Sequence, residues 1–433
     1  MGFIKVIELS GNNYYYVYAY FVPEGKNYIV AARKINPTSA TLEKPIILLN
    51  TAGKVLIQRN QYGIPLYYKN VSFKINTSYD KSKVLVYYKN NKKWKDKSKK
   101  ISCHVFDENM QKEYSHDLAI PLAPYALALT ATVSSDGIIY VVNYEGRVPE
   151  IMFYKIEPNK NVKQYPLKLQ TENISPRDFH LTEDKDGQMA CTFLFYGNQH
   201  NSSEATGGYC FLKINDDGSL DTKLQHFFDI NLITKYQKLN KDNSFNDYLN
   251  KLKIVKVIAQ QDGSTILLSE QQRIIQSTSG TSANSSSYLW ANIIISKINA
   301  DGTAAWTKKI PKRQWSGNNQ LGEKSFYHSY SNGHHYIVYL DNPKNLVLQE
   351  NEDPATHREN SGGFLTLCDL DESTGRYVKH NVLDREDIEG KKIYNFTVNL
   401  ISMSVFDNLV FFINGYIKNK QDVLVKIELK PEH

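Results

Sequence analysis

A phrase that returns along the chain limits the fold more than any other feature. A turn containing Gly opens a strand, a loop follows, and a later strand ends in Lys-Ile plus a polar residue. Asp136-Gly137 leads to Lys155-Ile156-Glu157, and Asp186-Gly187 to Lys213-Ile214-Asn215. Asp262-Gly263 leads to Lys297-Ile298-Asn299, and Asn408-Leu409-Val410 to Lys426-Ile427-Glu428. Lys34-Ile35-Asn36 reads as the first copy. A long repeat built from strands cannot bury its faces alone, so copies must stack or radiate. The expected fold is therefore all-β, a β-propeller of seven blades, with six and eight as the neighbouring counts.

Composition agrees. The 433 residues include 30 Tyr, and Tyr, Val, Ile and Phe suit half-buried pleated surfaces. A propeller grows by adding blades, so one domain over 1–433 is expected despite the length. The blades fall near 3–58, 70–122, 124–171, 174–229, 250–310, 324–383 and 393–430. Each runs from an inner strand A through B and C to an outer strand D, with the Lys-Ile signature on C. The last unit stops after C. Residues 3–9 either supply its missing strand or form strand A of the first unit, and the first unit's need for an inner strand favours the latter. Two segments break the pattern. Residues 231–251 space Leu232, Tyr236 and Leu239 as one or two short inserted helices would, stapled by Leu232 and Tyr236. Residues 277–287 (STSGTSANSSS) read as a mobile hairpin tip.

A net charge of +7 is mild for this length, and 89–100 concentrates it in seven Lys against one Asp. That run reads as a solvated hairpin loop, or as a contact for an anionic polymer or a membrane with Trp94 as its anchor. No nucleic-acid-binding pattern accompanies it, so no nucleic-acid partner is expected. Four Cys lie at 103, 191, 210 and 368 without a CxxC spacing, which argues against zinc and thioredoxin-like chemistry; Cys191 and Cys210 fall on consecutive strands of one repeat, where buried free thiols are expected over a cross-strand disulfide. No run of 18 apolar residues occurs, so no transmembrane segment is expected in the chain. The opening MGFIKVIEL has no apolar core and no cleavage site, and one reading is a boundary left after removal of a signal peptide.

Several phrases resemble a family of uncharacterised β-propeller-type envelope proteins of Bacteroidetes. They are 73–88 (FKINTSYDKSKVLVYY) with His104-Val105-Phe106-Asp107, and 209–215 (YCFLKIN) with Phe228-Asp229-Ile230. The most specific is 293–314 (IIISKINADGTAAWTKKIPKRQ) with 341–345 (DNPKN). The resemblance covers most of the chain in order. It implies a periplasmic, outer-membrane-associated or extracellular propeller, and it brings no catalytic residue with it.

Familiar nucleotide, hydrolase and zincin motifs are missing from the sequence, so no catalytic residue, metal or cofactor is assigned. His334 and His335 are adjacent on a strand and point to opposite faces, which sets them and His328 apart from a metal site. Glu183, Asp184 and Asp186 read as a turn. In a four-stranded blade the B–C loops and D-to-A connections share one rim, and here they are long: 89–99, 197–207, 271–289, 311–324 and 341–362. Loops on a rigid scaffold commonly carry function. The richest chemistry lies in Lys312, Arg313 and Trp315, facing Asp341, Asn342 and Lys344. Such a set binds a carboxylate, a sugar or a peptide. The structural alternative pairs Arg313 with Asp341 to fix the two loops. The expected function is a monomeric binding or scaffold protein with a protein or glycan partner. The alternative is a glycan-acting hydrolase or lyase.

Overall fold

The computed structural model describes 14–22, 27–36, 41–50, 55–65, 73–90, 98–109, 111–121, 128–144, 150–168, 174–197, 206–238, 249–277, 285–317, 324–358, 364–384, 393–403, 410–417 and 421–428. The chain is all-β, built on the blade plan of a propeller from consecutive antiparallel sheets. Sheet one holds β1 (Tyr14–Val22), β2 (Asn27–Asn36), β3 (Thr41–Asn50) and β4 (Val55–Pro65). Sheet two holds β5 (Phe73–Thr77), β6 (Lys83–Asn90), β7 (Ser98–Asp107) and β8 (Lys112–Pro121). Sheet three holds β9 (Ala128–Val133), β10 (Ile139–Tyr144), β11 (Glu150–Ile156) and β12 (Val162–Lys168). Sheet four holds β13 (Ile174–Glu183), β14 (Met189–Gly197), β15 (Thr206–Ile214) and β16 (Leu220–Phe227).

Sheet five has β17 (Leu252–Ala259), β18 (Thr265–Ser277), β19 (Ser285–Ile298) and β20 (Ala304–Ile310). It gains β21 (Gln314–Ser316) and β24 (His357–Arg358) beside β19. Sheet six holds β22 (Tyr327–Ser331), β23 (His334–Asp341), β25 (Phe364–Asp371) and β26 (Tyr377–Leu383). Sheet seven holds β27 (Ile393–Met403), β28 (Val410–Ile417) and β29 (Gln421–Glu428). Helix among the described residues is confined to α1 (Ile230–Thr234) and a 3-10 turn, Pro343–Val347.

The chain divides into two compact units. One holds Met1–Gln170 with Leu181–Ala190 and Ile214–Ser219; the other holds the rest. In the first unit, Leu85, Ile101, Cys103, Val105 and Ile120 of sheet two pack with Val133, Ile139, Val141 and Ile156 of sheet three. In the second, Ile266, Leu268, Ile293 and Ile295 of sheet five pack with Ile337, Tyr339, Cys368 and Leu370 of sheet six. Such strands are apolar on both faces because both faces are covered; all six residues of β10 are buried. The four cysteines are buried as free thiols.

The Asp-Gly turns have a common construction. Gly137 has φ +78°, the left-handed region that a side chain disfavours, and its N–H donates to Ser134 O at 2.9 Å. The Asp acts as a second brace. Asp262 Oδ1 accepts from Ser264 N at 2.8 Å and Ser264 Oγ at 2.6 Å, and Asp301 holds Thr303 in the same way at 2.9 and 2.6 Å. This is an Asx turn. At Asp371 the hydrogen bonds from Thr374 and Ser373 hold the carboxyl down at about 2.

The signature lysine joins one sheet to the next. Lys155 Nζ on β11 donates to Asp216 Oδ1 at 2.6 Å, in the turn after β15. Lys213 on β15 donates to Ala300 O at 3.3 Å, in the turn after β19. Lys297 on β19 donates to Glu372 Oε1 at 2.8 Å, in the turn after β25. Each of these lysines sits on the third strand and reaches the following sheet's C–D turn. Lys426 also lies on a third strand, β29. Lys34 corrects the expectation of five equivalent positions: it lies on β2, the second strand of sheet one, where it pairs with Tyr14. Sheet one holds four described strands from Tyr14 onward, and residues 3–9 lie outside the described residues.

Lys297 and Glu372 are 14% and 11% exposed, whereas Asp216 opposite Lys155 is 90% exposed. Lys297→Met is therefore expected to cost about 2–4 kcal/mol, because it strands a nearly buried carboxylate. Lys155→Met should cost under ~1 kcal/mol. Urea unfolding of the two variants checks this; equal losses would remove burial as the cause.

The expected helical insertion is present in part. Asp229 caps α1 through its side chain, accepting from Asn231 N at 2.6 Å. Ile233 is its buried residue and Tyr236 just beyond it is buried too, while Leu232 is only half-buried, so the staple is Ile233 with Tyr236 instead of Leu232. Residues 239–248 lie outside the described residues.

Candidate functional site

Three of the segments read as long loops contain strand. In 271–289, β18 continues to Ser277 and β19 begins at Ser285, so the hairpin extends the sheet; 278–284 lie outside the described residues. In 311–324, β21 pairs antiparallel with the extension of β19: Leu289 faces Trp315 and Trp290 faces Gln314. In 341–362, β24 runs parallel to β21, with Gln314 opposite His357 and Trp315 opposite Arg358. The loops expected to meet do meet, through backbone pairing and a bond from His357 N to Arg313 O at 2.8 Å. Loops 91–97, with Trp94, and 198–205 lie outside the described residues.

Strand alternation divides the predicted site. Along 312–316 successive side chains point to opposite faces. Lys312, Gln314 and Ser316 point inward and are 0%, 1% and 0% exposed. Arg313 and Trp315 point outward, and Trp315 is 37% exposed. Lys312 therefore corrects the reading of a surface cation. Asp341, at 1% exposure, likewise corrects the reading of a surface anion. Asn342 caps the 3-10 turn, accepting from Lys344 N at 3.1 Å, and Lys344 is exposed.

The inward residues form a charged network. Lys312 Nζ lies 2.7 Å from Glu270 Oε1, with both side chains 0% exposed, and donates to Gln314 Oε1 at 2.9 Å. Gln314 Nε2 donates to Leu340 O at 2.9 Å, and Ser325 Oγ to Glu270 Oε2 at 2.7 Å. Burial pushes the Lys312 ammonium down, and the carboxylates of Glu270 and Asp341 pull it back up. Asp341 is held by Asn345 Nδ2 at 2.6 Å, and burial raises its carboxyl. The loops are fixed as the structural alternative required, but by Lys379 and not by Arg313. Lys379 Nζ lies 3.6 Å from Asp341 Oδ2 and donates to Pro311 O at 2.9 Å. His357 completes the group. Burial and the nearby Lys312 hold its imidazole at about 4, and its Nε2 meets no hydrogen-bond partner.

The outward face is different in kind. Register places Arg273 opposite Leu289, Leu289 opposite Trp315, and Trp315 opposite Arg358. Directly paired residues share a face, so these four form one row across β18, β19, β21 and β24. Arg313, two residues before Trp315, joins them. Arg313 and Arg358 are exposed and Arg273 is half-exposed. Behind the sheet, Lys324 Nζ covers Tyr288 and Trp290 at 5.3 and 4.8 Å from the ring centres. The face thus combines an aromatic plane with three guanidiniums on a rigid support.

The other candidates have local partners. His328 Nε2 and His335 Nδ1 are 3.0 Å apart in the core, while His334 points the other way onto Asp369 at 2.7 Å. No group of three His, Cys, Asp or Glu suited to a metal ion occurs among the described residues. Asp184 Oδ1 closes its own turn by accepting from Asp186 N at 3.0 Å and Gln188 N at 2.9 Å. Glu183 braces other turns, accepting from Tyr79 N at 2.9 Å and from Ser135 N at 2.8 Å.

Sequence reading missed Glu270, Gln314, Lys379, His357, Arg273 and Arg358. Polar-rich strand ends such as Gln271-Gln272-Arg273 resemble loop, and the partners come from four separate segments. Residues 312–316 (KRQWS) offer no apolar–polar alternation that would have marked the inner face.

No helix of the described residues is long and apolar enough to cross a membrane. No family model matches the chain, and no curated protein matches it. Among solved structures it is similar to the β-propeller domain of the Trilobed protease from Pyrococcus furiosus, at TM-score 0.40 and 11% identity over 96% of this chain and 94% of that one. It is similar to the WD40 domain of SCAP from fission yeast, at TM-score 0.38 and 7% identity over 95% of each. It is also similar to a PL25 ulvan lyase, at TM-score 0.42 and 9% identity over 93% of this chain and 90% of that one. No residue role is carried over from these proteins.

Proposed function

We propose that the chain is a binding or scaffold protein of a bacterial cell envelope, belonging with the Bacteroidetes family its phrases resemble. It is a single seven-bladed propeller domain, monomeric, and periplasmic, outer-membrane-associated or extracellular. Its ligand, a protein or a glycan, docks on the face that carries Trp315. One observation carries the reading. Lys312 and Asp341 of the predicted site are turned inward and spent on holding the loops, while Trp315 and the arginines face out. A rigid aromatic beside fixed cations recognises a ligand; it supplies neither a nucleophile nor a pair of converging carboxylates.

The test presents the folded protein to arrays of envelope glycans and peptides. Binding that drops at least about tenfold in Trp315→Ala is expected, as for an exposed aromatic anchor. Release of cleaved sugar products would move the protein to the glycan-acting enzyme class. Unchanged capture by Trp315→Ala would remove the site.

A further inference from the structure

We infer that Arg177, on the first strand of sheet four, forms a second binding site, which takes the carboxylate group of a small organic acid. The site lies on a different sheet from Trp315 and does not depend on the role proposed for that face.

Regular alternation would point Arg177 into a phenylalanine core. Arg177 and Phe179 are two apart on β13, so an even strand turns them to one face. Phe193 and Tyr196 are three apart on β14 and face opposite ways. Phe179 lies against Phe193, with ring centres 4.8 Å apart, but the Arg177 guanidinium lies over Tyr196, 5.2 Å from its ring centre. The alternation therefore breaks between 177 and 179. It breaks at Asp178, whose φ of +52° falls in the left-handed region. A bulge of this kind re-aims a side chain. Asp adopts the conformation more readily than most residues, and the Asp178 carboxylate accepts from the backbone N–H of Ile254 on β17. Strand β17 has its own register shift there, between Ile254 and Lys256. Two irregularities thus meet in one bond, and their effect is to lift Arg177 off the phenylalanines and onto Tyr196.

The lifted group is a cation without an anion. Arg177 Nε is buried and meets no hydrogen-bond partner. Among the described residues no carboxylate pairs with the guanidinium, and Asp178, the nearest acid in sequence, is engaged with Ile254. A partly covered charge lowers stability unless something pairs with it, and the left-handed Asp178 adds strain. No contact within the chain offsets the two, whereas a bound anion would.

Chemistry selects the ligand. The Tyr196 ring covers one face of the guanidinium, so its donors point outward in their own plane. Arg177 and Tyr196 are both half-buried, and with Nε covered the two Nη groups are the part that reaches solvent. Two parallel N–H donors match the two oxygens of a planar carboxylate. Pro176, Phe179 and Phe195 beside the pair are buried, so the opening suits the head of a small acid.

Calorimetric titration of the full chain with succinate, citrate, inorganic phosphate and chloride, at matched ionic strength, tests the site. Succinate or citrate should bind, and phosphate and chloride should bind several-fold more weakly or not at all. Arg177→Met should weaken carboxylate binding about tenfold or more, and Arg177→Lys, which keeps the charge without the fork, should lose most of it too. Stability without ligand separates binding from scaffolding. Arg177→Met should unfold at the parent's temperature or above it, because it removes an unpaired cation. Succinate should raise the unfolding temperature of the parent and leave that of the variant unchanged. A destabilised Arg177→Met in a protein that no carboxylate stabilises would make Arg177 structural and overturn the site. Chloride or phosphate binding as tightly as succinate, or Arg177→Lys binding like the parent, would reduce the effect to bulk charge and overturn it. Silence of all four anions with folded parent protein would overturn it as well.

Discussion

Lys312→Met is expected to lower stability by about 3–5 kcal/mol, because it leaves Glu270 as an unpaired carboxylate in a site with no exposure. Glu270→Leu should cost a similar amount by stranding the ammonium. The double variant should recover most of the loss, since a buried ion pair is roughly balanced by the desolvation of its members. Urea unfolding of the three proteins forms the cycle. Additive losses would show that the two side chains act independently. The same variants should weaken ligand capture by Trp315, because β21 loses its inner anchor while its outer residues are untouched.

Acid should unfold the protein from an unusually high pH. Burial holds His104, His335 and His357 at about 4, and His328 lies well below its ordinary value. An unfolded histidine takes its proton near ~6.5. Below that pH the unfolded chain binds more protons than the folded one, so stability falls as pH falls. The histidine contribution levels off near 4, where the folded imidazoles also protonate. The turn aspartates then continue the decline, since Asp371 stays ionised to about 2 when folded. The urea midpoint should drop by on the order of 1 M between pH 7 and pH 4. His357→Gln should flatten part of that slope. A midpoint constant over this range would show that the imidazoles protonate without unfolding.

The strand plan was legible because its signals are local. Asp-Gly turns, alternating Ile and Val, and the Lys-Ile signature each lie within a few residues. Even the purpose of the lysine was out of reach, since its partner sits 61 residues on for Lys155 and 75 for Lys297. The site was half legible. Arg313 and Trp315 were placed correctly outside, whereas Lys312 and Asp341 were not, because residues of equal polarity alternate there and no apolar face marks the inside. Lys379, on β26, lies 68 residues from Pro311 and carries no motif. Lys34 shows the opposite error: the right words on the wrong strand.

The lysine links also point in one direction. Each leaves a sheet and ends in a turn that the chain has not yet reached. On a ribosome, a sheet that has emerged lacks its lysine's bond to the next sheet until the turn after its successor's third strand is made. The nascent protein therefore carries one incomplete blade at its growing end throughout synthesis. Truncations at the C-terminal side should harm the preceding sheet, while truncations at the N-terminal side spare the following one.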